Sequence, residues 1–368
     1  MNPQAEGAFD KPRGSRAKRV GGGLLALLIL VLGLARLGAE AFKLMAYADV
    51  FASGRRMLSY QDITGPDLKD LNLGDDQEHQ VQQLEDGSTL VYQGHTYQLN
   101  RDLTTVLCLG VDNDIQENDT PGTSGLSDVM LLVGIDTKTG RTTMLNIPRE
   151  TYGQVAVYSI EGNYVGTEFE QICLAYSYGN GKDTSGKNAM DTVSRLLYGL
   201  PISSFLAIDM DVLQTINEAV GGVTVASMIE GKFPDGRQVK EGESIELHGK
   251  NLEYYIRTRG HTTLDANAAR NQRQRQYLTE LVRVTAARSR QDLRFPLRLF
   301  SALTEDLATD LELPDVTFLS RVFLRQGANF NYRTLGGSYG YIRSSPVLYP
   351  DETELFEAML ELFYKRVD

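Results

Sequence analysis

The chain has 368 residues, 42% of them hydrophobic, which suffices for the core of one large domain or two small ones and excludes a wholly disordered polymer. A formal net charge of −11 argues against a nucleic-acid partner, because phosphate backbones call for a strongly basic surface. The two cysteines, Cys108 and Cys173, sit inside apolar runs and read as buried thiols, and no Cys or His pair has the spacing of a zinc site.

At the N-terminus, Lys11, Arg13, Arg16, Lys18 and Arg19 precede an uncharged run from Val20 to Ala35. As a helix this run is about 24 Å long, close to the roughly 30 Å of a bilayer's hydrocarbon core, and Arg36 can snorkel to the far interface. The positive-inside rule keeps residues 1–19 in the cytoplasm as a basic tail, makes 20–41 a transmembrane anchor and puts the rest outside the cell. A cleaved signal peptide ending at Ala39 to Ala41 is the rival; the retained anchor is favoured. Residues 42–103 are polar and acidic and read as an extracellular linker and accessory segment, with a small hairpin turning at Gly94.

The dense apolar pattern starts at Thr104. "TTVLCLGVDND" reads as a strand buried on both faces and ending in aspartates. "DVMLLVGID" and "RTTMLNIP" are two further strands joined by the turn "TKTG". Folding that hairpin about Lys138 sets position 128 opposite position 148, which makes Asp128 and Arg149 neighbours. If the first strand runs parallel to the third, Asp112 opens onto the same edge, and carboxyl ends of strands are where open α/β sheets bind ligands.

Helix and strand then alternate. "NAMDTVSRLLYG" carries Met190, Val193, Leu196 and Leu197 on one stripe, "FLAIDMD" is a strand, and "DVLQTINEAVGG" is a helix ended by glycines. "VTVAS" is a short strand. "GKNLEYYIRTRG" fits a helix better than a strand and ends in Arg257 and Arg259. A further helix beginning at Asp265 or Asn267 puts Arg270, Arg273 and Gln274 on one face with Tyr277 and Leu281, and turns Gln272 and Arg275 away. That face looks inward, and an inward guanidinium needs an anionic partner, either protein carboxylates or a ligand phosphate. "DETELFEAMLELFYKR" is a C-terminal amphipathic helix capped by Asp351 with Glu354 three residues on.

The succession "GVD", "SDVMLLVGIDTKTGRTTMLNIPRET", "LAYSYGNG", "EAVGGV", "YYIRTR" and "RNQRQRQYL" resembles the LytR-CpsA-Psr family of bacterial envelope enzymes, from about Thr104 to about Thr285. The resemblance implies an αβα sandwich with a central mixed β-sheet in a catalytic domain over 104–368. It implies transfer of an anionic glycopolymer, a teichoic acid or capsular polysaccharide, from a polyprenyl-pyrophosphate carrier to peptidoglycan, with Mg²⁺ as cofactor. Carried over by position, Asp112 and Asp128 match metal or pyrophosphate carboxylates, and Arg149, Arg257, Arg259, Arg270, Arg273 and Gln274 match the anion-binding set. Departures are Leu126 where an arginine is usual, Asp114 for another arginine, Glu150 for an aspartate, and Asn267 where an aspartate often stands. A hydrolase of the same fold and a non-catalytic lipid-binding or wall-tethering protein remain as alternatives.

Overall fold

The computed structural model describes Tyr60 and residues 63–73, 80–112, 120–258 and 330–368, together with individual residues between 269 and 318. The anchor at 20–41 and the side chains of Arg259, Arg270 and Gln274 lie outside the described residues. Among the described residues, no helix is long and apolar enough to cross a membrane.

In chain order the strands are β1 (Val81–Gln83), β2 (Thr89–Tyr92), β3 (His95–Leu99), β4 (Leu103–Val111), β5 (Ser127–Asp136), β6 (Thr142–Ile147), β7 (Tyr152–Tyr158) and β8 (Tyr164–Gln171). Helices α1 (Leu174–Ser177) and α2 (Asp183–Leu196) follow, then β9 (Ser204–Ile208), α3 (Met210–Val220), β10 (Val223–Ala226), β11 (Gly231–Lys232), β12 (Gln238–Val239), β13 (Ser244–Leu247) and α4 (Gly249–Arg257). The chain closes with β14 (Leu307–Thr309), β15 (Phe330–Thr334), β16 (Gly337–Ile342), β17 (Ser345–Pro350), α5 (Glu352–Phe363) and β18 (Tyr364–Arg366).

The centre is a six-stranded mixed sheet in the order β14-β9-β4-β5-β6-β15. Strand β4 runs antiparallel to β5 and parallel to β9, while β5 and β6 form the expected antiparallel hairpin. Side chains alternate between faces along a strand, so the near-continuous apolar runs feed two cores at once. Val106, Cys108, Leu131, Val133, Met144 and Leu206 face one side, where α3, α4 and buried Tyr277 and Leu281 cover them. Leu107, Leu109, Met130, Leu132, Leu145 and Phe205 face the other, under α2 and α5. This is the αβα sandwich the sequence led us to expect, and burial on both faces fixes the strand register, since a slip of one residue would exchange the two sets.

Within 60–99 the hairpin turning at Gly94 forms as expected, between β2 and β3, while the described residues around it pack into the body and are not a free linker. Strands β1, β2 and β3 form a meander whose outer partner is β18, with Leu99 opposite Tyr364. Tyr60, Leu90, Tyr92 and Leu99 are buried in the α5-side core, and the Tyr60 hydroxyl pairs with the Thr105 hydroxyl at 2.7 Å. The segment is an integral part of the sandwich because it covers the outer face of α5. The C-terminal helix is capped as expected: the Asp351 carboxylate accepts the Glu354 amide at 2.9 Å. Helix α2 starts at Asp183, several residues before the apolar stripe begins.

Asp136 closes the β5–β6 turn. Its carboxylate accepts the amides of Lys138 at 3.0 Å and Thr139 at 2.7 Å, the Asn100 side-chain amide at 2.9 Å, and pairs with the Lys365 ammonium at 2.7 Å. Burial works against its ionisation most strongly, but Lys365 and these amides together hold the carboxyl below the ordinary carboxylate range. A depressed folded pKa contributes stability above the unfolded value of about 4 and loses it as pH falls through the folded value. Asp136→Asn is therefore expected to cost about 2 kcal/mol in urea unfolding at pH 7, and the gap from the parent protein should narrow below about pH 4.

Candidate functional site

The β5–β6 register sets the site. The ladder ends at Met130 opposite Ile147, because the next residue on β6 is Pro148, which has no N–H to donate. Two pairs beyond Met130 and Ile147, Asp128 stands across from Arg149, a residue beyond the position that folding about Lys138 gives. The Arg149 guanidinium makes an ion pair with Asp128 Oδ1, with the two side chains 22% and 35% exposed. Such a pair is neither desolvated enough to be locked nor wet enough to be negligible.

On its other edge Asp128 occupies a β-bulge. Gly110 pairs with Val129 and Val111 with Ser127, so Asp128 has no partner on β4. Bulges re-aim a side chain and end regular pairing. A Cβ at Gly110 would lie 3.2 Å from the Val129 Cβ, a tight contact that glycine avoids. Immediately beyond the bulge Asp112 turns out to solvent, its carboxylate accepting the Leu126 amide at 2.6 Å while its own amide donates to the Leu126 carbonyl at 3.1 Å. Asp112 and Asp128 are therefore diagonal neighbours across β4 and β5, and Arg149 follows on β6. The three residues read as one rim from the sequence do meet at one rim.

The rim is braced from behind by Cys173, to which no site role was assigned from the sequence. Its carbonyl accepts from the Ser127 amide and hydroxyl, both at 3.3 Å, and its amide donates to the Arg149 carbonyl at 3.4 Å. Burial pushes the thiol up to about 11, with the Arg149 guanidinium pulling the other way. It stays a protonated structural group; both cysteines are free and buried. The bonds that brace the strand ends run through its peptide group, which no side-chain pattern announces, while its thiol contacts Gln171.

The second arginine group stands at the end of α4. Glu218 binds the start of this helix, with the Gly249 amide at 3.1 Å and His248 Nδ1 at 2.8 Å on its carboxylate. Arg257 lies in the last turn, half-exposed, 3.1 Å from Glu253 one turn back. Arg273 is 2% exposed. Its Nε donates to the Tyr255 carbonyl at 2.8 Å and an Nη to the Thr258 carbonyl. The inward face is as the helical spacing gives it, with Arg273, Tyr277 and Leu281 buried and Gln272 exposed. The partner differs from both expected ones: it is the row of orphan carbonyls at a helix C-terminus, which carry partial negative charge. Burial lowers the Arg273 guanidinium from its ordinary value, opposed by Tyr255 and Tyr254.

Gln276 reinforces the same joint, accepting from the Tyr255 hydroxyl at 2.5 Å and donating to the Ala226 carbonyl at 2.7 Å. The ion pairs of Arg149 and Arg257 run to Asp128 and Glu253, so the structure presents a rim triad and a helix-end pair. Among the described residues no group of three or more His, Cys, Asp or Glu is placed to hold a metal by itself. Asp112 and Asp128 are carboxylate donors of the type magnesium takes, an ion commonly held by one or two carboxylates together with phosphate oxygens and water, and one oxygen of each is already engaged, by the Leu126 amide and by Arg149.

Comparison with known proteins adds the following. The sequence model of the LytR_cpsA_psr family matches residues 68–361. The polyisoprenyl-teichoic acid--peptidoglycan teichoic acid transferase TagU of Oceanobacillus iheyensis is 29% identical over 235 residues, covering 64% of this chain and 67% of that protein. TagU of Bacillus subtilis is 30% identical over 182 residues, 50% of this chain and 52% of its own length. The chain thus spans about half to two thirds of these relatives. The crystal structure of B. subtilis TagV shares the fold, with a TM-score of 0.54 at 23% identity over 71% of this chain and 96% of that one.

Because Arg273, itself buried, donates to the carbonyls of Tyr255 and Thr258, Arg273→Met should lower unfolding free energy by about 2 to 3 kcal/mol. Arg257→Ala, which breaks only an exposed one-turn pair, should stay within about 0.5 kcal/mol. Chemical denaturation of the two variants side by side checks the contrast.

Proposed function

The chain belongs to the LytR_cpsA_psr family, and on that premise we propose that it is an envelope phosphotransferase. It moves an anionic glycopolymer of the teichoic-acid or capsular type from a polyprenyl-pyrophosphate carrier to peptidoglycan. Its apolar segment at 20–41 serves as membrane anchor, with the catalytic domain outside the cell. The observation that carries this reading is the convergence of Asp112, Asp128 and Arg149 at the carboxyl ends of β4 and β6. An arginine fork beside acidic oxygens suits a diphosphate, whose charge must leave water before a neutral hydroxyl can approach phosphorus. The names of the TagU relatives support the choice of donor and acceptor.

In the reaction an acceptor sugar hydroxyl forms a bond to the phosphorus of the glycosyl phosphate and gives up its proton, the bond from that phosphorus to the bridging oxygen breaks, and polyprenyl phosphate leaves, its freed oxygen taking up that proton. Arg149 donates to non-bridging phosphate oxygens whose charge grows in the transition state, the moment at which such donors contribute most. Asp128 holds the guanidinium in place until the anion arrives and competes for it. By their match to the family's motifs, Arg257, Arg259, Arg270 and Gln274 are further groups for stabilising the diphosphate's charge. Arg273 serves Arg257 from the inside by fixing the end of α4. Magnesium bound by Asp112 and Asp128 would supply charge neutralisation on the diphosphate.

The test is transfer in vitro, with lipid-linked polymer as donor and isolated wall as acceptor. Arg149→Ala is expected to reduce polymer on the wall by roughly 10² to 10³-fold, and Asp128→Ala to reduce it as well, with the circular dichroism of both unchanged. Polymer released into solution by the parent protein would make it a hydrolase, and full transfer by both variants would remove the chemistry from this rim.

A further inference from the structure

Just past Arg149, two ribbons meet. The Thr151 backbone bridges to Leu348 in parallel, the Leu348 amide donates to the Glu150 carbonyl at 2.8 Å, and Gln171 Nε2 donates to the Pro346 carbonyl at 2.5 Å. Through these contacts the β16–β17 hairpin lies alongside the β7–β8 hairpin. The body-side face of β7–β8 is ordinary core: Val155 is buried, and a Cβ at Gly153 would meet Ile172 at 3.1 Å.

The opposite face carries three rings in a row. Tyr349 on β17 meets Tyr152 on β7 edge-on with centroids 5.5 Å apart, and Tyr152 meets Phe169 on β8 at 5.6 Å. The end rings are 41% and 56% exposed. The Tyr349 ring covers Gly340, where a Cβ would lie 2.8 Å from it, so the glycine leaves the ring its place over β16. Large rings turned to water forgo the stabilisation of burial, about 25 cal/mol per Å², and a row of them held by ring contacts is preorganised for something outside the fold.

The register says what kind of thing. Gln154 pairs with Phe169, Gln171 with Tyr152 and Ser338 with Tyr349, and Thr167 stands two residues from Phe169. All share the row's face. The carboxylates of this hairpin, Glu168 and Glu170, alternate onto the other one, where the Tyr178 hydroxyl donates to Glu170 at 3.1 Å. The face therefore offers flat apolar rings bordered by amides and hydroxyls, with Glu168 and Glu170 turned away from it. A polyanion or an anionic lipid surface would call for basic residues, and a lipid tail would strand the amides. A pyranose has an apolar ring face for stacking and hydroxyls for the amides.

We propose that the Tyr349–Tyr152–Phe169 row is the docking platform for the neutral glycan strand of the wall acceptor. The inference rests on the transferase reading above. Tyr152 is three residues from Arg149, so a strand laid on the row passes beside the rim where its hydroxyl must reach phosphorus. The row acts on the acceptor alone and leaves the diphosphate contacts to the rim.

The probe is peptidoglycan stripped of its covalently attached anionic polymers, and the readout is co-sedimentation of the full chain in detergent, with thermal unfolding as the folding control. Tyr349→Ser combined with Phe169→Ser should weaken binding about tenfold, equivalent to about 1.4 kcal/mol, and raise the acceptor concentration needed for half-maximal transfer without changing affinity for lipid-linked donor. Tyr349→Phe, which keeps the ring, should bind as the parent does. Tyr339→Ser with Tyr341→Ser, on the other face of β16, should leave binding unchanged. The proposal falls if the parent protein does not sediment with stripped wall, if the row variant binds it equally well, or if the row variant instead loses binding to anionic polymer or anionic vesicles. Each of these results leaves the rim chemistry standing, since that is tested through Arg149 and Asp128.

Discussion

Two opposite charges at the ends of neighbouring strands, Asp128 on β5 and Arg149 beyond β6, are held in contact by a register that neither of them sets. The register is set by the core: residues such as Leu131 and Leu132 fill opposite faces of the same sheet, and a slip would put each set on the wrong side. Proline at 148 stops the ladder one pair before the charges, and the bulge at Asp128 frees that carboxylate from β4. Hydrophobic burial thus supplies the precision, while local backbone irregularity supplies the exposure. Without the first the pair would not meet. Without the second it would be closed to any ligand.

The arginines divide the work by burial. Arg273 is almost wholly enclosed and donates to the carbonyls of Tyr255 and Thr258, so its charge is absorbed by the protein's own helix end. Arg149 and Arg257 keep one carboxylate partner each and remain in reach of solvent. A motif rich in arginine need not aim every guanidinium at substrate. Here Arg273 fixes the end of the helix on which Arg257 stands, and Cys173 does a corresponding job behind the rim through its backbone.

Features written as apolar period or as turn chemistry were legible in the sequence. The strands β4, β5, β6 and β9, the helices α3, α4 and α5, and the Asp351 cap follow from them directly. The Asp128–Arg149 encounter followed from hairpin symmetry, displaced by one residue because the turn was centred on Lys138. The β7–β8 hairpin carried no such signal: most of β8 is exposed, so its rings and carboxylates alternate without an apolar side to betray the period. The hairpin turning at Gly94 was legible as turn chemistry, but its place in the sandwich was not, because its buried residues are spaced among polar ones and its partner, β18, lies at the other end of the chain. The partners of Arg273 were illegible for a different reason. They are peptide carbonyls, which every residue has.

Affinity for a short-chain polyprenyl diphosphate, measured by isothermal titration against the matching monophosphate, tests the account most directly. If the rim grips the diphosphate, the parent protein will prefer diphosphate to monophosphate and Arg149→Ala will lose that preference by about tenfold or more, the scale of one charge-assisted contact. Equal affinity of parent and variant for the diphosphate would contradict it.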